Sequence, residues 1–71
     1  MVAKRLLPLA AMEVLLKESG AERVSDKAKI ALKDALEERA EKIALAAVKL
    51  AHHAGRKTIK SDDLKLAAKN Y

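Results

Sequence analysis

The chain has 71 residues, so it holds one domain at most, and a core of that size is marginal alone. Hydrophobic residues make up 51% and charged residues 35%, with no Phe or Trp and Tyr71 as the single aromatic; this points to closely packed helices of Leu, Ile, Val, Met and Ala that associate to shelter what one layer leaves wet. The absence of cysteine excludes disulfides and thiolate metal sites, no apolar run reaches membrane-spanning length, and a net charge of +5 favours a polyanion as partner.

A single domain over residues 1–71 is expected, with a short N-terminal extension at about 1–6. Lys4 and Arg5 precede Leu6 and Leu7 there, but no long apolar stretch or cleavage-type ending follows, so no signal peptide is read. The first helix is expected to begin at Pro8, whose missing N–H is harmless in a first turn, and to end at Ser19-Gly20. Leu9, Met12, Leu15 and Leu16 supply its apolar stripe.

The central helix starts after Ser25 as N-cap, with Asp26 at the positive end of the dipole, and meets no Gly or Pro before Gly55. That is about 29 residues, or roughly 43 Å at 1.5 Å per residue. Its first half is charged, with one stripe through Ala28, Leu32, Ala35 and Leu36, and with Lys33–Glu37 and Glu38–Lys42 as i,i+4 pairs on the wet side. Its second half carries two adjacent stripes, Ile43, Ala47, Leu50 and Ala54 beside Ala44, Val48 and Ala51. Two stripes face more than one neighbour, and the expected second neighbour is the same helix of another chain. A short third helix follows, capped by Ser61, with Asp62 and Asp63 in its first turn and Leu64, Ala67 and Ala68 to bury.

The two connections share one plan. Gly20-Ala21-Glu22-Arg23-Val24-Ser25-Asp26 and Gly55-Arg56-Lys57-Thr58-Ile59-Lys60-Ser61-Asp62-Asp63 each run from a helix-ending glycine through basic and β-branched residues to serine and aspartate. Such loops put cations beside fresh helix N-termini, where phosphate binds. His52 and His53 are adjacent, about 100° apart around a helix axis, and no other His or Cys completes a metal site. No Gly-rich phosphate loop, nucleophile triad or carboxylate pair in an apolar pocket is present, so no enzyme, cofactor or small-molecule substrate is expected.

On these residues the chain resembles the archaeal histones, over about Leu7 to Asn70 and most specifically in Gly20 through Asp26 and Val48 through Asp63. The resemblance implies an all-α histone fold, paired as a handshake homodimer with each first loop beside the partner's second loop, Val24 and Ile59 forming short paired strands, and double-stranded DNA wrapped outside. It also implies roles for single residues. Arg23 enters the minor groove, held by Thr58 of the partner, Lys57 contacts phosphate, and Lys17, Ser25, Lys60 and the paired helix starts near Pro8 add contacts. A guanidinium suits a narrow, electronegative minor groove, where shape rather than base edges is read. Arg56 with Asp63 forms a buried salt bridge that orders the second loop. Leu50, His53 and Asp63 join two dimers, His53 reaching Asp63 across that joint. In stacked assemblies Gly20 permits close approach, while Glu38 with Lys69, Glu18 with His52 and Asp34 with Lys65 pair between layers.

The chain also departs from that pattern. Val14 and Glu13 stand where many members have an arginine preceded by a glycine, and Ala11 replaces a common second proline. One DNA contact per protomer is then missing, and Glu13 makes the paired helix starts less attractive to phosphate, unless Val14 simply completes a core stripe. The resemblance places the protein in the cytoplasm on the chromosome (nucleoid), with a histone paralogue as a further candidate partner. Two other readings compete. One is a histone-fold component of a heteromeric transcription or repair complex. The other is a peripheral membrane protein, from the basic-ended amphipathic segment Lys4 through Lys17, which Glu13 and Glu18 weaken.

Overall fold

Pro8 has φ −74° and ψ 139°, an extended conformation, and it stands just outside the first helix as its N-cap rather than as the first helical residue. The helix begins one residue later because that ψ is incompatible with a helical turn. A computed structural model describes residues 7–71, in which α1 spans Leu9–Glu18, α2 Asp26–His53 and α3 Ser61–Ala68, with no strand among the described residues. The N-terminal extension, with Lys4, Arg5 and Leu6, lies outside the described residues.

Both long connections open in the same way. At the end of α1, Ala21 N–H donates to Leu16 O at 3.0 Å and Gly20 N–H to Lys17 O at 3.0 Å. At the end of α2, Arg56 N–H donates to Ala51 O at 2.9 Å and Gly55 N–H to His52 O at 2.9 Å. These are two Schellman motifs, and each needs a left-handed residue: Gly20 has φ +112° and Gly55 φ +70°. The far ends differ. Ser25 Oγ accepts the Ala28 N–H at 3.1 Å and caps α2 as expected. Ser61, expected to cap α3, is instead its first residue; Lys60 is the N-cap, with φ −104° and ψ 163°. Asp63 decides this, because its carboxylate takes the Lys60 N–H at 2.8 Å while Asp63 N–H returns a bond to Lys60 O at 3.0 Å.

The chain divides into two units, one up to Glu38 and the other Arg39–Tyr71, with α2 contributing to both. In the first, Met12 is buried, and Leu16, Leu32 and Leu36 are half-buried. Leu9 and Leu15 of the expected α1 stripe are exposed instead, as are Ala28 and Ala35 of α2. Lys33 and Glu37, assigned by their spacing to the wet side, are both buried. Lys33 Nζ lies 3.2 Å from Glu37 Oε1, and Glu37 Oε2 accepts the Leu7 N–H at 2.8 Å, so the pair packs beneath the chain that enters α1.

In the second unit the buried apolar residues are all alanines: Ala47 and Ala51 of α2 and Ala67 of α3. Ile43, Val48 and Leu50 are half-buried, whereas Ala44, Ala54, Leu64, Leu66 and Ile59 remain exposed. Arg39 closes this unit's end, its guanidinium donating to the Tyr71 main-chain oxygen. No large side chain of the described residues is fully buried. The apolar periodicity of α2 is real, but one chain covers only part of it.

Candidate nucleic-acid interface

The cations of both loops follow directly from the capping geometry. Each glycine turns the chain away from its helix, leaving Arg23 two residues before Ser25 and Lys57 and Thr58 two and three residues after Gly55. Arg23, Lys57, Thr58, Ser25 and Lys60 are all exposed. Both loops therefore present positive charge beside the first turn of a helix, where unpaired N–H groups and the dipole favour an anion.

The second loop is braced from within. Arg56 grips Asp63 with two parallel bonds, Nη1 to Oδ2 at 2.8 Å and Nη2 to Oδ1 at 2.9 Å, and Nη1 also donates to Thr58 O at 3.1 Å. Together with the Lys60 N–H bond, this ties residues 56, 58, 60 and 63 into one network around a side chain that is 8% exposed. The Arg56 guanidinium, followed by the Lys60 N–H, holds the Asp63 carboxyl at about 2, below its ordinary 3.8. Asp63 in turn raises Arg56.

Three further groups concern association. Of the joint residues, Leu50 is half-buried, His53 exposed and Asp63 buried; within the chain Asp63 bonds Arg56 and not His53. The stacking candidates Glu18, His52, Asp34, Lys65, Glu38 and Lys69 are exposed, with Asp34 Oδ1 at 4.0 Å from Lys33 Nζ. A Cβ built on Gly20 meets nothing within 4 Å, so its positive φ alone accounts for glycine in this chain. Val24 is half-buried and Ile59 exposed, both outside the helices, and neither lies in a strand.

Glu13 makes two contacts, one to Lys17 at i,i+4 spacing and one to Lys29 that no spacing announces. Its Oε1 lies 2.7 Å from Lys29 Nζ on α2 and its Oε2 3.8 Å from Lys17 Nζ. The hydrogen bond from Lys29, then the charges of Lys29 and Lys17, hold the Glu13 carboxyl below the usual range, and Glu13 correspondingly raises Lys29. Glu13, in the middle of α1, is therefore not an isolated carboxylate. Val14 beside it is 53% exposed, so it completes no core stripe of its own chain. Among the described residues no group of three or more His, Cys, Asp or Glu could hold a metal ion, and no helix is long and apolar enough to cross a membrane.

Residues 5–68 match the family described as histone-like transcription factor (CBF/NF-Y) and archaeal histone. The chain belongs to the archaeal histone family. It is 48% identical over 63 residues to a subunit of archaeal histone HAN1 from Thermococcus zilligii, covering 89% of this chain and 94% of that protein. It is 49% identical over 61 residues to probable archaeal histone 3 of Methanocaldococcus jannaschii, covering 86% and 91%. Membership makes α1, α2 and α3 a histone fold, for which the handshake dimer is the family's arrangement, and makes the protein a DNA-binding chromatin component and not an enzyme.

Proposed function

We propose that this histone is a single domain over residues 1–71 that pairs with itself in the handshake and wraps double-stranded DNA with little sequence specificity, compacting it as dimers, tetramers and stacked multimers on the chromosome in the cytoplasm. The observation that carries this is the twofold use of one loop design, each copy ending a helix at a left-handed glycine and exposing a cation, Arg23 or Lys57, beside the next helix N-terminus. Two such loops set side by side by a second chain give a paired cationic site, and phosphate contacts of this kind position DNA without reading bases. The exposed apolar residues of both units supply the reason to dimerise. In this assembly Arg23 enters the minor groove beside the partner's Thr58, Lys57, Lys60, Ser25 and Lys17 meet the backbone, and Leu50, His53 and Asp63 join dimers.

Titration of random-sequence duplex against salt tests the reading. A protein with six to ten phosphate contacts loses about 10³ to 10⁵ in affinity between roughly 50 and 200 mM salt. The expected response is that steep, with Arg23→Ala abolishing DNA bending while helicity stays unchanged. A flat salt response, a strong preference for one sequence, or full bending by Arg23→Ala would overturn it.

A second reading has its own support: the family description includes transcription factors, and one relative is named as one of the subunits of its histone. A heteromeric role predicts that the purified chain fails to reach dimer mass alone and does so on adding a different histone-fold chain. A stable homodimer favours the first reading.

A further inference from the structure

Glu13 reaches both α2, through Lys29, and Lys17, a lysine proposed to contact DNA. Its two contacts are unequal. Lys29 Nζ lies 2.7 Å from Oε1 and is 18% exposed, and it also lies 3.5 Å from Asp26 Oδ1. Lys17 Nζ lies 3.8 Å from Oε2 and is 53% exposed. One ammonium grips the carboxylate from a sheltered position, while the other is held loosely at the surface. A carboxylate bridging two ammonium groups imitates the paired unesterified oxygens of a phosphodiester.

Resting on the DNA reading above, we propose that Glu13 is an internal competitor for DNA phosphate: it occupies Lys17 in the free protein, and a backbone phosphate displaces it while Lys29 keeps the carboxylate in place. The contact to Lys17 is exposed and long, so exchange is easy. A glutamate carboxyl is ionised at neutral pH, and the hydrogen bond and charge of Lys29, with the charge of Lys17, favour that form further. The cost of displacing it lowers affinity and blunts the salt response, since Lys17 exchanges one anion for another instead of releasing only counterions.

Fluorescence anisotropy with a random duplex, on the full chain, separates this from a plain charge effect. Glu13→Gln should bind about 1.5- to 5-fold more tightly per protomer, the range expected for one exposed pair, and its salt slope should steepen by about 0.9 per phosphate gained. Glu41→Gln changes net charge equally at a carboxylate outside the cluster and should gain less. Glu13→Asp leaves net charge untouched but withdraws the carboxylate from Lys17, and it should also tighten binding. Lys17→Met should cost more in the Glu13→Gln background than in the parent. Additive effects of positions 13 and 17, or Glu13→Asp binding no better than the parent, overturn the competitor. A parent that does not bind duplex at all overturns the DNA reading itself.

Discussion

Asp63 accepts three hydrogen bonds from two partners, the Arg56 guanidinium and the Lys60 N–H, and so fixes both the shape of the second loop and the first turn of α3. A fork-to-fork arginine pair is geometrically specific in a way that lysine cannot reproduce. The consequence for stability has a definite sign. Folding lowers the Asp63 carboxyl from 3.8 to about 2, so the folded state favours the ionised form; the stabilisation is complete above the unfolded value and disappears as pH falls through about 2. Glu13, also lowered, acts in the same direction. Melting temperature should therefore hold steady down to mildly acid solution and then drop across the window from 3.8 to about 2. Circular dichroism melts of the parent and of Asp63→Asn at a fixed concentration check this. The variant should start lower and show a shallower acid decline, and equal slopes would mean that the carboxylate is not what the acid titrates.

At the scale of elements, the helices are held by their ends. Gly55 has φ +70° and nothing within 4 Å of a built Cβ, so a methyl group there fits in space and is opposed only by backbone conformation. Gly55→Ala should cost about 1–2 kcal/mol, lowering the melt by about 4–8 °C per kcal/mol in a domain of this size. A variant that melts with the parent would show that the loop relaxes without the left-handed turn. These ends were legible in the sequence because their chemistry is local: a glycine, a serine and an aspartate act within a few residues. The cap of α3 was less so, since Ser61 and Lys60 compete and the outcome depends on Asp63 being held by Arg56. The spacing of Lys33 and Glu37 marked them as a pair but not as a buried one, because burial follows from the Leu7 N–H, 30 positions away, seeking the same carboxylate. Glu13 and Lys29 sit on different helices, and no period connects them. Leu9 and Leu15 fall on the expected stripe and yet are exposed. Periodicity reports that a face is to be covered and is silent about which chain covers it.

For the whole molecule, the small buried set of alanines and Met12 beside Leu9, Leu15, Ile30, Leu45, Leu64 and Leu66 on the surface argues that the cooperative unit is larger than one chain. Growth beyond a dimer on DNA is the next step we propose, a stacked rod in which exposed charges pair between layers. Gly20 supports it only weakly, since its φ of +112° already requires glycine, and a bulky substitution there would disturb the α1 cap along with any stack. Charge exchange avoids that difficulty. Asp34 has a side chain 51% exposed, Lys65 is exposed on α3, and the proposed layer contact joins the two across dimers. Each exposed pair contributes about 0.2–1 kcal/mol, so a rod built from such pairs should shorten on losing one set and recover when the signs are exchanged. Nuclease digestion of a long duplex coated with each protein reads the length directly. Lys65→Asp should truncate the ladder of protected fragments, and adding Asp34→Lys should restore the longer ones. A double variant that protects no further than Lys65→Asp, or a single variant whose ladder matches the parent, would remove this pair from the stack.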